Sequence, residues 1–338
     1  MTVADDVAAL LARLESGRDL VIDGDVHITD PDRLPDWQRK RRAASPDYYH
    51  GRTISAEDAV AEMDAAGVDM ALVWQNPAAT EYGDDPAANY QALLEANRYI
   101  ADAARRLPGR FIPAGWTDPK ALGLDGALRL VDELTGALGM AIVKMNPAQN
   151  AYRMASEPVM ATVARIVERG AVPAFHFGSD TPYTPAEDLR ALAGAFPQVP
   201  VIGVHMGGGG AAYPDSDETY AKARAHGLEV PNIFYVLSAK RDTHIESDLI
   251  AYTAAGPEAA ARIACASDAP YGRMTWNFGG YRAMFGALAQ GQGNPDPRLA
   301  PGMFTDTVVA GYMGNNLARL AASAVRRWQA VHADQVAM

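Results

Sequence analysis

The chain has 338 residues, a length that suits one large domain or two ordinary ones with a sizeable buried core. Hydrophobic residues make up 49% of the chain and charged residues 21%, which excludes disordered, collagen-like and coiled-coil proteins. With 30 Lys and Arg against 41 Asp and Glu, the net charge of -11 excludes nucleic acid or an anionic membrane surface as the main partner.

Two further features of the sequence indicate the cellular compartment of the protein. No segment approaches the roughly 18 consecutive apolar residues that a membrane span needs. The single cysteine, Cys265, cannot form an internal disulfide, and the N-terminal segment is acidic where a signal peptide is basic. The sequence therefore predicts a protein of the reducing cytoplasm.

Short apolar runs alternate with helical stretches along almost the whole chain. We predict eight strands, at 19–28, 68–75, 111–116, 140–147, 172–178, 199–208, 233–239 and 262–268. Helices are predicted between them, and the first of these begins after Ser55 as its N-cap and ends at Gly67.

Apolar strands that alternate with amphipathic helices predict a parallel sheet covered by helices on its outer face. Eight repeats over roughly 250 residues predict an α/β fold closed as a (β/α)8 TIM barrel. An open doubly wound sheet is the alternative, but the residues after Val26 lack its glycine-rich phosphate turn. We predict one domain over 1–338, with an N-terminal helix at 4–14, an insertion at 31–52 in the catalytic face and a C-terminal helical tail at 304–338.

Polar residues end several predicted strands, where the active site of a TIM barrel lies. Asp25 and His27 end the first strand two residues apart, so both side chains point to one face. His176 ends the fifth strand and Asp268 the eighth. Any one of the histidines would also suit a hydrogen-bonded core position, but together these four residues predict a site for one divalent metal ion, zinc or alternatively manganese.

His205 ends the sixth strand, and Met206 and four glycines follow it. A phosphate-binding loop is the alternative interpretation of the glycines. Such a loop needs a helix that begins directly after them, but Tyr213-Pro214-Asp215 lies there. We predict that His205 orients a metal-bound water or polarises a substrate oxygen without holding the metal. Asp268 is predicted to act as the base on that water and to return the proton to a leaving group.

This arrangement resembles the amidohydrolase superfamily, and most closely its amidohydrolase-related branch, typified by aminocarboxymuconate-semialdehyde decarboxylase. The resemblance covers about 20–320 and rests on four segments, Ile22-Asp23-Gly24-Asp25-Val26-His27, His205-Met206-Gly207-Gly208, Ser267-Asp268-Ala269-Pro270-Tyr271-Gly272 and Gly314-Asn315-Asn316-Leu317-Ala318-Arg319-Leu320. The first strand of the branch usually reads I-D-x-H-x-H, and here Asp25 replaces the first histidine. Some decarboxylases of the branch carry a carboxylate there, so the resemblance implies a metal-dependent barrel of the hydrolase type.

Further residues are candidates for substrate binding. Lys144 ends the fourth strand, where superfamily members with two metals use a carboxylated lysine; the alternative is contact with a substrate carboxylate or a barrel-mouth acid, which agrees with the one-metal habit of the branch. Arg241 and Arg273 follow the last two strands, where each either holds an anionic substrate group or forms a surface salt bridge. Trp116 and Trp276 are candidates for pocket walls, with simple packing as the alternative.

Three functions are compatible with these residues. The first is hydrolysis of an amide, imide or lactone-like bond in a small polar substrate by a metal-activated water. The alternative is non-oxidative decarboxylation of a small carboxylic acid, and the third is a non-catalytic barrel that binds a metal or metabolite. We expect a small-molecule substrate that carries a carboxylate, no nucleic-acid or membrane partner, and a homodimer. The insertion at 31–52 is expected to form a lid or a dimer contact.

Overall fold

The computed structural model describes residues 3–44, 52–178, 182–208 and 217–333. Parts of three predicted features lie outside the described residues. These are residues 45–51 of the insertion, the glycines Gly209 and Gly210 with the segment up to 216, and residues 334–338 of the tail.

The described residues contain nine parallel strands in chain order. They are β1 (Ile22–Ile28), β2 (Met70–Gln75), β3 (Phe111–Pro113), β4 (Gly115–Trp116), β5 (Ile142–Met145), β6 (Val172–His176), β7 (Val201–Val204), β8 (Ile233–Leu237) and β9 (Ile263–Cys265). Strands β1 to β3 form one sheet and β4 to β9 form another, each paired in sequence order. Almost every strand residue is buried, as expected for strands with the core on one side and helices on the other.

The two sheets meet at two seams. The third predicted strand is split at Ala114, so that β3 pairs with β2 while β4 pairs with β5. The Ala114 N–H still donates to the Val73 carbonyl at 2.9 Å. At the other seam, Val26 of β1 bridges to Ala269 beyond β9, and the His27 N–H donates to the Ala269 carbonyl at 2.7 Å. The strands therefore follow one another around a ring, which confirms the predicted TIM barrel.

Helices cover the outside of this ring. They are α1 (Val3–Leu14), α2 (Asp36–Ala44), α3 (Ala56–Ala66), α4 (Pro86–Arg106), α5 (Pro119–Thr135), α6 (Glu157–Glu168), α7 (Ala186–Ala195), α8 (Asp217–Glu229), α9 (Asp242–Ala254), α10 (Pro257–Ala260), α11 (Met274–Ala289), α12 (Asp306–Ala310) and α13 (Asn316–Val331). Ser55 caps α3 with a capping box, and Gly67 ends the helix at a φ of 62°. Within the described ranges, no helix combines the length and the hydrophobicity of a membrane span.

The C-terminal segment closes the lower end of the barrel, opposite the carboxyl ends of the strands. A single π-helical turn, Gly311–Asn315, brings Gly314 against β1, where an added Cβ would lie 2.0 Å from the Leu20 carbonyl oxygen. Asn315 accepts from the Leu20 N–H at 3.0 Å, and Asn316 donates to the Ile263 carbonyl at 2.7 Å. The Gly-Asn-Asn segment therefore joins the first and last strands from below and leaves the upper end for the polar residues.

Candidate active site at the barrel mouth

Asp25 is the centre of the polar cluster at the carboxyl ends of the strands, and it is fully buried. Its Oδ1 accepts from the Trp74 indole N–H at 2.8 Å and from the Lys144 ammonium at 3.2 Å. Its Oδ2 accepts from the Ser238 hydroxyl at 2.9 Å. Because two neutral donors and one cation surround it, this carboxylate is held in one orientation in its ionised form.

His27 lies beside Asp25 on β1, and its ring orientation is fixed from behind. Its Nδ1 lies 2.8 Å from the Gln75 carbonyl oxygen, so this nitrogen carries the hydrogen. Its Nε2 lies 3.5 Å from Asp25 Oδ1 and 3.6 Å from Asp268 Oδ1. The unprotonated nitrogen of His27 therefore faces two carboxylates, as a metal-binding imidazole does.

His176 and His205 meet across the ends of β6 and β7. The His205 Nε2 lies 3.0 Å from the His176 Nδ1, and the His205 Nδ1 lies 2.8 Å from the Ser238 hydroxyl oxygen. His205 and the following Met206 have φ values of 80° and 48°, a left-handed turn that lifts the imidazole over the mouth. The structure thus brings both predicted histidines into the cluster.

Charges within the cluster move the pKa values apart. Burial would raise the pKa of Asp25, but the charge of Lys144 and the neighbouring imidazoles hold it well below its usual range. Burial and the nearby Asp25 charge raise the pKa of Asp268 to about 7. Burial, reinforced by the Lys144 charge, lowers the pKa of His27 to about 4. At neutral pH, one carboxylate is ionised, the other is poised to hold or release a proton, and His27 is neutral.

Lys144 is also brought to the cluster, at the end of β5, with 1% of its surface exposed. Besides its contact with Asp25, its ammonium lies 4.0 Å from the centre of the Trp74 ring and 5.2 Å from that of Trp116. Of the alternatives stated for Lys144, the structure shows the contact with an acid of the barrel mouth, which is Asp25. Trp116 is fully buried and forms the floor below Lys144 and His27.

The remaining substrate-binding candidates lie farther out on the catalytic face. Arg241 precedes α9 at an exposed position. Arg273 precedes α11, with its Nε 3.7 Å from Glu62 Oε1 and its guanidinium 5.4 Å from the Trp276 ring. Trp276 is 63% exposed. The structure therefore places the Arg273 side chain between Glu62 of α3 and the Trp276 ring.

The residue types of the cluster fit a divalent metal ion. One donor atom each from Asp25, His205 and Asp268 lies within 4.8 Å of the others, and His27 Nε2 faces the same carboxylates. Carboxylate oxygens with imidazole nitrogens are the donor set of divalent first-row ions. The mouth is accordingly a candidate site for one divalent metal ion.

Three residues of the cluster were not among the predicted site residues, and one of them is Trp74, which donates to Asp25. Ser238 lies at the end of the seventh predicted strand. As a polar residue at a strand end, it could have been predicted as a site residue in the same way as the others. Gln75 takes part through its backbone carbonyl, which no side-chain pattern indicates. Gln75 also lines a cleft of about 440 Å³ between the ends of β1 and β2 and helix α4, within the size range of small-molecule sites.

Three solved structures illustrate what this chain is similar to. The 5-carboxyvanillate decarboxylase LigW2 from Novosphingobium aromaticivorans, with bound manganese, has a TM-score of 0.63 at 16% identity, covering 91% of this chain and 98% of that one. The 2,6-dihydroxybenzoate decarboxylase from Rhizobium has a TM-score of 0.62 at 14% identity, covering 89% and 98%. The 4-oxalomesaconate hydratase LigJ from Rhodopseudomonas palustris has a TM-score of 0.58 at 15% identity, covering 94% and 100%. At these identities the likeness shows the fold.

The comparisons also correct the predicted reaction. The sequence led us to expect hydrolysis of an amide, imide or lactone-like bond, and this expectation is wrong. The similar structures are mostly metal-dependent decarboxylases, with a hydratase among them, and they favour the decarboxylation that the sequence left as the alternative.

No curated protein matches the chain in sequence. The model of the Amidohydro_2 family, described as Amidohydrolase, matches residues 22–287. The matched range includes all nine strands, the candidate metal ligands and Ser238. Since it covers more than half of the chain and agrees with the barrel and its mouth, the chain belongs to the amidohydrolase family.

Proposed function

We propose that the chain is a metal-dependent, non-oxidative decarboxylase of a small carboxylic acid. The observation that carries this proposal is the pairing of two unlike carboxyl groups at one mouth. Asp25 is kept ionised, whereas the pKa of Asp268 is raised to about 7 by burial and by the charge of Asp25. Decarboxylation needs a proton donor at the carbon that loses CO2, and a carboxyl group with a pKa near neutrality suits that task.

We propose Asp25, His27, His176 and Asp268 as the metal ligands. His205, which also has a donor atom within 4.8 Å of those of Asp25 and Asp268, is proposed to face the substrate and not to hold the metal. A bound divalent ion would supply positive charge that holds the substrate carboxylate against the barrel mouth. The manganese in similar decarboxylases and the two carboxylates of this set both favour manganese over zinc.

The chain's own residues then have separate tasks. The bond between the substrate carbon and its carboxylate breaks, and its electron pair stays on that carbon. Asp268 would hold the ion through one carboxyl oxygen and carry the proton on the other; it gives that proton to the carbon, and CO2 leaves. Trp116, which is fully buried, forms the apolar floor that keeps water away, and Arg241 on the catalytic face is our proposed contact for a substrate anion.

The proposal is tested by loading the protein with manganese and supplying 2,6-dihydroxybenzoate, 5-carboxyvanillate and a panel of other small aromatic and aliphatic acids. We expect release of CO2 and, in deuterated water, one deuterium at the carbon that carried the carboxylate. Asp268→Asn is the matched variant, and it should release CO2 roughly 10²- to 10⁴-fold more slowly than the wild type. Absence of CO2 from the whole panel with manganese bound, or a product that has gained water instead, would contradict the proposal.

We also propose that the chain forms a homodimer, for which the added helices α1, α2 and α13 offer contact surface. Light scattering should give a mass of twice 36.1 kDa at micromolar concentration. A mass of 36.1 kDa would show that the barrel is a monomer.

A further inference from the structure

A continuous row of hydrogen bonds crosses the barrel mouth from His176 to Asp25. The His176 Nδ1 lies 3.0 Å from the His205 Nε2, and the His205 Nδ1 lies 2.8 Å from the Ser238 hydroxyl oxygen. The Ser238 hydroxyl lies 2.9 Å from Asp25 Oδ2. The row therefore joins residues from β6, β7 and β1 through one hydroxyl at the end of β8.

The hydrogens in this row run in one direction only. Asp25 is an ionised carboxylate that can only accept, so the Ser238 hydroxyl must donate its single hydrogen to it. Having no second hydrogen, the hydroxyl must accept from His205, which places the hydrogen of that ring on Nδ1. The His205 Nε2 then carries a lone pair and accepts from His176, whose hydrogen is likewise on Nδ1. The lone pair of the His176 ring consequently lies on Nε2.

The backbone holds Ser238 and His205 in this relation. The turn after β7 has left-handed φ values at His205 and Met206, and the turn after β8 has one of 46° at Ala239. The two turns touch, because an added Cβ on Gly208 would lie 2.7 Å from the Ala239 carbonyl oxygen. The buried Lys240 ammonium ties them together by donating to the Met206 carbonyl at 3.1 Å. Ser238 and His205 are thus fixed by structure outside the cluster.

We propose that Ser238 is a positioning residue that acts through His205. Its hydroxyl fixes the His205 tautomer, His205 in turn fixes the His176 tautomer, and His176 presents Nε2 as the atom that holds the metal. Ser238 thereby couples two proposed ligands, Asp25 and His176, that come from different sheets. The hydrogen-bond row stands on geometry alone, whereas its effect on the metal rests on the proposed metal site.

The first test is the tautomer of each ring in metal-free protein, read by nitrogen NMR with ¹⁵N-labelled histidine at mildly alkaline pH. The chain has only 7 histidines, so the signals of His176 and His205 are assigned by single substitutions. We expect the hydrogen on Nδ1 in both rings. In Ser238→Ala the nearest acceptor of the His205 Nδ1 hydrogen becomes Asp25 Oδ2 at 3.6 Å, so we expect both rings to populate the tautomer with the hydrogen on Nε2. Ser238→Thr, which retains a hydroxyl, should keep the wild-type pattern.

The second test is manganese affinity, measured by competition with a chelator. Ser238→Ala should bind manganese about 10- to 100-fold more weakly, as is usual when a partner of a metal ligand is lost, and Ser238→Thr should restore the affinity. Ser55→Ala, which removes a buried hydroxyl that caps α3, is the control and should change neither the tautomers nor the affinity.

The two measurements separate the possible failures. A wild-type His205 with its hydrogen on Nε2, or unchanged tautomers in Ser238→Ala, would overturn the proposed role of Ser238. Changed tautomers with unchanged manganese affinity would overturn the link between Ser238 and the metal. A wild-type protein that binds no manganese would refute the metal site while the tautomer result still decides the role of Ser238.

Discussion

Two buried lysine–aspartate pairs lie at the carboxyl ends of the strands, and their surroundings differ. In the pair behind the β8 turn, which we call the outer pair, Lys240 contacts Asp248 of α9. The second oxygen of Asp248 accepts from Arg224 of α8 at 2.8 Å, and the Lys240 ammonium also lies 4.5 Å from the Tyr220 ring. The Lys240, Arg224 and Asp248 side chains therefore each contact a group of opposite charge.

In the pair at the mouth, Lys144 and Asp25, one lysine interacts with two carboxyl groups and with the imidazoles of His27 and His205. The groups compete, so the pKa of Asp25 falls while that of Asp268 rises to about 7. At the outer pair two cations share one carboxylate, Asp248, and join the turns to the helices. At the mouth two carboxyl groups share one lysine, so one of them can hold or release a proton. Burial of a charged pair alone therefore does not mark a functional site, whereas a buried carboxyl group without a cation of its own does.

The largest expected effect comes from the mouth. Asp268→Asn removes the carboxyl group proposed to donate the proton, so turnover should fall by roughly 10²- to 10⁴-fold. The free energy of unfolding should change little, because the substitution also removes the repulsion between Asp268 and Asp25. Steady-state CO2 release and urea unfolding measure the two quantities. Turnover near the wild-type rate would show that Asp268 is not the proton donor.

The outer pair should show the opposite behaviour. Lys240→Met leaves the buried Asp248 carboxylate with Arg224 as its remaining cation, and the free energy of unfolding should fall by up to about 3–5 kcal/mol. The double variant Lys240→Met with Asp248→Leu should recover part of that loss, because no buried carboxylate then remains and the partly exposed Arg224 can turn to water. Urea unfolding of the two variants makes the comparison. A stable single variant with impaired manganese binding would reverse the roles assigned to the two pairs.

Asp23, on β1 below the mouth, is a third buried carboxyl group, and its effect on stability depends on pH. Burial raises its pKa from 3.8 to about 7, although Ser267 donates to it through both its hydroxyl and its N–H. Between these values the folded protein keeps a proton that the unfolded chain has lost, so this group makes stability fall as pH rises, by at most about 1.4 kcal/mol per pH unit. Asp23→Asn should flatten that slope in urea unfolding of metal-free protein. An unchanged slope would mean that Asp23 does not titrate in this range.

The smallest effect is expected at the surface. Arg190 of α7 and Glu229 of α8 form an ion pair in which about half of each side chain is exposed. Arg190→Ala should lower the free energy of unfolding by less than about 1 kcal/mol and leave turnover unchanged. A loss as large as that of Lys240→Met would mean that burial does not separate the two kinds of pair.

The sequence predicted the barrel and most of the cluster because parallel strands end on one side. Asp25, His27, His176, His205 and Asp268 each follow an apolar run, so their convergence required only the fold. The split of the third strand at Ala114 was not predictable, because the change of pairing partner depends on the neighbouring strands. The exposure of Trp276 depends on the rotation of α11, which no local pattern fixes. The reaction was predicted wrongly because hydrolysis and decarboxylation use the same residue types.

The seam between β9 and β1 has a consequence for the motions of the barrel. Asp25 and His27 belong to the three-stranded sheet, while His176 belongs to the six-stranded sheet and Asp268 follows it. Only the bridge at Val26 and Ala269 and a few hydrogen bonds of the described residues cross this seam. An ion shared by Asp25 and Asp268 would act as a cross-link, so amide hydrogen exchange along β1 would slow when the ion binds and would report its occupancy strand by strand.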